Sequence, residues 1–127
     1  MYMKKSIAIL ITISLLIPAP TAVHAVYDPV AVATYLLAHN TSPWSVMGLS
    51  ALAATNISAE HLRSLSATSA IQYAAPILAL TAIGHDPHSF PASDYVAGLK
   101  SFHRNGQLGD PRALNDDIFG ILALISA

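Results

Sequence analysis

Two adjacent carboxylates, Asp116 and Asp117, follow Asn115 and precede an apolar run from Ile118 to Ile125. A carboxyl whose pKa is raised by its surroundings can protonate a substrate, so the pair invites general-acid chemistry. The same residues have the types that start a helix, with Asn115 as N-cap and two carboxylates opposing the positive end of the helix dipole. Capping alone accounts for all three. Of the histidines beyond residue 25, only His85 and His88 are spaced closely enough for a loop-borne metal pair, and no third ligand clusters with them. The chain has no nucleophile elbow, phosphate-binding glycine loop or Ser-His-Asp order. No catalytic or metal-ligating set is therefore expected. Asn40-Thr41-Ser42 and Asn56-Ile57-Ser58 fit the acceptor pattern for N-glycosylation, and they equally fit two polar turns.

The elements that must position these residues read as helices, since no period-two strand pattern occurs. Asp28-Pro29 and Ser42-Pro43 each pair an N-cap residue with proline at the first helical position. They predict helices over 29–39 and 44–54, the second apolar on nearly every side and hence buried. Ser58 opens a short helix to about residue 66. An apolar helix follows over 69–83, with Pro76 inside it as a kink and Gly84 as a left-handed C-cap. Ser93 caps an amphipathic helix with Tyr95, Val96, Leu99 and Phe102 on one face, ended by Asn105-Gly106. The last helix runs from Asn115 to the end of the chain. Partly polar helices thus alternate with apolar ones in three hairpins. Gly48–Leu52, Pro76–Leu80 and Gly120–Leu124 align across the copies, as expected of stacked helical repeats.

Composition sets the address and excludes some partners. The chain has 127 residues, short enough for at most one domain, and no cysteine, so a disulfide scaffold is ruled out. Lys4 and Lys5 precede an apolar core, Ile7 to Ile17, and the small-residue site Val23-His24-Ala25. This is the pattern of a secretory signal peptide over residues 1–25, with cleavage before Val26. The expected location is secreted or cell-surface, with membrane contact only through that leader or an anchor further along. The remaining chain carries Arg63, Lys100, Arg104 and Arg112 against seven carboxylates, which leaves no basic stripe for nucleic acid. The charge-free run 64–84 has the length of a membrane span, but its Ser, Thr, Gln72 and Pro76 suit a buried helix better.

Three segments carry a family resemblance: Trp44 to Leu49, Ile77 to Pro87, and Asn105 to Ala127. With the outer-and-inner alternation, they make residues 26–127 resemble the α/α toroid of the terpenoid cyclase and protein prenyltransferase superfamily, which includes squalene cyclase-like and cobalamin-carrier proteins. The family turn, a Gln followed by Asp-Gly-Ser-Trp or Asp-Gly-Ser-Phe, is replaced here by Asn105-Gly106-Gln107-Leu108-Gly109. His103 stands near the glutamine position. The resemblance implies an all-α partial toroid, about half of a ring, whose inner helices line a central cavity. Trp44, Tyr73, Phe119 and Asp116 become the ligand-cavity candidates, although helically spaced aromatics are also ordinary core. The cyclase Asp-x-Asp-Asp acid is incomplete, because Leu114 stands where its first Asp belongs. The prenyltransferase zinc site needs a cysteine that this chain lacks. What is implied is an exported, non-catalytic binding module for an apolar or corrinoid-like small molecule, with no cofactor specified. The alternatives are a fragment of a cyclase-type enzyme and a purely structural surface repeat. Three hairpins ending on Ile125-Ser126-Ala127 imply downstream repeats of a longer protein as partners, since repeat arrays end in polar-faced caps.

Overall fold

The computed structural model describes residues 27–127 except positions 65 and 92. The leader assigned to residues 1–25 lies outside the described residues. The chain is mostly helical, with five α-helices among the described residues: α1 (Pro29–Ala38), α2 (Pro43–Ala51), α3 (Ala70–Ala82), α4 (Tyr95–Lys100) and α5 (Leu114–Ser126). Between α4 and α5 lies an antiparallel pair, β1 (His103–Arg104) and β2 (Gln107–Leu108), which closes into neither barrel nor toroid. The segment expected as a short α-helix near residues 59–66 is instead a 3-10 turn, Glu60–Ser64, covering the core with Leu62. Five residues hold too few hydrogen bonds to sustain an α-helix.

The predicted starts of the first two helices hold. Asp28 Oδ1 accepts from the Val30 and Ala31 amides at 3.0 and 3.2 Å. Ser42 and Ser45 form a reciprocal capping box, each hydroxyl accepting the other's backbone N–H at 3.2 Å. The ends of α2 and α3 are built alike. The Ala54 and Ala53 amides donate to the Leu49 and Ser50 carbonyls (3.0 and 2.9 Å), and the His85 and Gly84 amides donate to those of Leu80 and Thr81 (2.9 and 3.1 Å). Both are Schellman closures with a left-handed residue, Ala53 (φ 53°) and Gly84 (φ 79°). The left-handed Ala53 ends α2 at Ala51, short of the expected residue 54.

These closures correct the repeat alignment. They match Leu49 with Leu80, which moves the first copy by three residues from the register expected for Gly48–Leu52 and Pro76–Leu80. Apolar residues recur every three or four positions along a helix, so composition cannot resolve a slip of about one turn.

The core forms around α3, which packs against α2, α4 and α5. Val46, Leu49, Leu62, Ala74, Ile77, Leu80, Tyr95, Val96 and Leu99 are all at most 2% exposed. Pro76 sits buried within α3, which continues past it as a single helix to Ala82. Tyr73 of α3 lies directly over Gly98 of α4, where any Cβ would collide with the ring. The Tyr95 hydroxyl donates to the Leu62 carbonyl, tying α4 to the 3-10 turn.

None of the apolar helices is buried on every side as expected; α3 comes nearest, with seven of its 13 residues buried while Gln72 and Ala82 are exposed. α2 buries one stripe, Ser45, Val46 and Leu49, while Trp44 and Ala51 are exposed. α5 exposes Leu114, Ile118, Ile121, Leu122 and Ile125. α1 buries no residue at all. Among the described residues no helix is long and apolar enough to cross a membrane, and the run 64–84 contributes only the 13-residue α3.

The β-hairpin is a further correction, because the chain between 103 and 108 was expected to hold only a helix end. Asn105 (φ 51°) and Gly106 (φ 80°) form a two-residue turn with His103 opposite Leu108 and Arg104 opposite Gln107. Asn-Gly is the commonest filling of such a turn, since both residues tolerate positive φ. The last amphipathic helix is correspondingly short. It is capped by Asp94, whose Oδ1 accepts the Ala97 amide at 2.8 Å, rather than by Ser93.

Candidate functional site

Trp44 stands at the second position of α2, and Phe119 in the second turn of α5. Their rings meet edge to face with centroids 5.4 Å apart and planes at 76°. This geometry suits the aromatic quadrupoles. Trp44 remains 47% exposed, so the pair presents an open apolar surface where the starts of α2 and α5 converge. The capping box fixes the backbone beneath Trp44. Asn40 reinforces it, with Oδ1 3.1 Å from the Ser45 hydroxyl and Nδ2 donating to the Ser58 carbonyl at 2.8 Å.

Tyr73, the third aromatic candidate, belongs elsewhere. It packs against Tyr95 and Phe102 at 6.3 and 5.7 Å, in the interface between α3 and α4. It does not join Trp44 and Phe119.

Asp116 is buried, 6% exposed, and faces the loop before α5. Its Oδ2 accepts the Asp110 amide at 3.1 Å, and Asp117 Oδ1 accepts the Leu108 amide at 2.8 Å. The two carboxylates thus clamp β2 and the following turn onto α5. They do not cap the helix by way of Asn115: the N-cap position is Ala113, with no side-chain bond, and the helix starts at Leu114. Gly109, at φ 73°, makes the clamp sterically feasible, because a side chain there would run into the Asp116 carboxylate and Ala70. Sequence reading missed this long-range role of the aspartates. The available signal was the glycine pair Gly106 and Gly109, seven to eleven residues before the carboxylates.

The glycosylation candidates differ in availability. Asn40 spends both amide atoms internally, whereas Asn56 is exposed in a left-handed conformation (φ 58°). Asn56 lines a hollow of about 280 Å³ with Ser50, Ile57 and His85, between the closing turns of α2 and α3. A second hollow, about 360 Å³, lies between β2 and α5, with Lys100, His103 and Asp117 among its walls.

His85 packs edge-on against Phe90, and His88 Nδ1 lies 3.9 Å from Asp94 Oδ1. Among the described residues no group of three or more His, Asp or Glu side chains is arranged to hold a metal. Asp86 holds its proton less tightly than a free carboxyl, because it accepts the His88 backbone N–H and then the Ser89 hydroxyl. Asp110 is likewise shifted down by the backbone N–H and guanidinium of Arg112. Both are exposed turn residues stabilising their own loops.

Compared with protein-family models, with curated proteins and with solved structures, the chain shows no match to any of them.

Proposed function

We propose that this chain is an exported repeat domain, a partial α/α toroid resembling the cyclase and prenyltransferase superfamily. In this reading it acts at or outside the cell surface as a non-catalytic binding module for an apolar or corrinoid-like small molecule. The toroid reading draws support from the matching closures of α2 and α3. The observation that carries the binding reading is the half-exposed Trp44 resting on Phe119, two aromatics from separate copies of the repeat brought to one surface. A rigid indole with one face open is an economical contact for an apolar or planar ligand, since few rotatable bonds are frozen on binding. Asp116 in this reading supports the site from beneath, through the turn it clamps.

Trp44 is the only tryptophan, so its emission reports on this surface alone. Titration with a fifteen-carbon isoprenoid alcohol is followed by emission, and titration with a cobalamin by equilibrium dialysis. One of the two is expected to saturate, with affinity falling about 10-fold or more on loss of an aromatic, read by emission in Phe119→Ala for the alcohol and by dialysis in Trp44→Ala for the cobalamin, the usual scale for removing a central aromatic contact. Absence of saturable binding by either ligand up to about 1 mM, the weak end of specific affinities, would overturn the reading.

A further inference from the structure

The hollow between the closing turns of α2 and α3 lies at the opposite end of α2 from Trp44, and the two share no residue. Both helices end in its wall. A helix C-terminus carries a partial negative charge, because its last carbonyls have no further turn of amides to accept from. Here two such ends are held together, since the Ser50 hydroxyl of α2 donates to the Ala82 carbonyl of α3 at 2.7 Å. That bond leaves the Ala82 oxygen a second lone pair. The Schellman amides satisfy the carbonyls of Leu49, Ser50, Leu80 and Thr81, and none of them reaches Ala82. Ile57 and Ile83 supply an apolar wall, while Asn56 and His85 stand exposed at the rim.

The charges nearby favour a cation. No lysine or arginine lines the hollow. Asp86, next in the chain to His85, is kept in its charged form by the His88 N–H and the Ser89 hydroxyl. Arg63 reaches Phe90, which packs on His85, but it is paired with Glu60 at 3.0 Å. The volume, about 280 Å³, suits a small organic molecule better than a bare metal ion. A hard metal ion would also want six or more oxygens, with carboxylates among them, and no carboxylate lines the wall. An anion would oppose both helix ends, and a purely apolar guest would dehydrate the carbonyls without replacing their hydrogen bonds. We infer that this hollow binds a small primary alkylammonium ion, its three N–H donors at the converging helix ends and its short chain against Ile57 and Ile83. The site stands or falls separately from the Trp44 surface.

Titration with butylammonium chloride, followed by backbone amide chemical shifts, tests this directly. Saturable shifts are expected at residues 50–57 and 82–85, with a dissociation constant of about 1–10 mM. Butan-1-ol has nearly the same shape without the charge. It should bind about 10-fold more weakly, the scale of a cation at two helix C-termini. Ala54→Lys brings the chain's own ammonium to the hollow and should abolish saturation by the added ion. Asn56→Asp sets a carboxylate at the rim and should tighten butylammonium binding about 3-fold or more. Both positions reach solvent, so far-ultraviolet circular dichroism should be unchanged in each variant. Equal affinity for the ammonium and the alcohol would overturn the inference, leaving an apolar hollow only. Butylammonium shifts centred elsewhere, or no tightening in a folded Asn56→Asp, would overturn it as well.

Discussion

Asp116 shows how much a residue's role depends on where its carboxylate points. A first-turn aspartate that only opposes the helix dipole contributes roughly 0.3–1 kcal/mol. Asp116 is buried and accepts the Asp110 amide. A hydrogen bond to a charged group is worth about 1.5–3 kcal/mol. Asp116→Ala is therefore expected to cost about 2–3 kcal/mol in urea unfolding. Asp116→Asn keeps an acceptor oxygen and should lose about 1 kcal/mol or less. Equal, small losses from both would return Asp116 to a simple dipole partner. The Trp44 surface belongs to the same scale, since its function rests on one exposed indole.

Between elements, the two helix closures make a controlled comparison within one molecule. Gly84 occupies its left-handed position with nothing within 4 Å of where a Cβ would stand, so its requirement is conformational rather than steric. Ala53 holds the equivalent position with a Cβ, at φ 53°. The left-handed conformation costs an L-residue about 1–2 kcal/mol, and glycine avoids that cost while losing more backbone entropy on folding. Ala53→Gly should thus raise stability by about 0.5–1 kcal/mol, and Gly84→Ala should lower it by about 1 kcal/mol. Thermal unfolding of the pair checks both signs together. A loss in both variants would show that Ala53 earns its place through contacts made by its methyl group.

Over the whole molecule, stability is concentrated around α3 and thins toward α1. α3 is covered by α2, α4 and α5, whereas α1 buries no residue and packs chiefly on α2. Native-state hydrogen exchange is expected to give α3 amides the global unfolding free energy. α1 amides should open several kcal/mol below it, because local opening there exposes little apolar surface. Global-level protection across α1 in monomeric protein would contradict this gradient.

Local physics explains which features were legible in the sequence. Asp28-Pro29, Ser42-Pro43 and Gly84 mark helix boundaries through neighbouring backbone groups, and the helices begin or end there. The 3.6-residue pattern of α4, with Tyr95, Val96 and Leu99 buried, was equally readable. Asn105-Gly106 announced a hairpin by the same local chemistry, but two-residue strands carry no alternation to support it. Other features were decided only by tertiary structure. The aspartates met amides six and nine residues away, Tyr73 went to Gly98, and Trp44 went to Phe119. Whether an apolar helix is covered was also settled there: α2, α3 and α5 are all apolar, yet α3, packed against the other two and α4, buries the most residues. Composition states what a helix can bury, and the number of its neighbours, a property of the whole assembly, determines what it does bury.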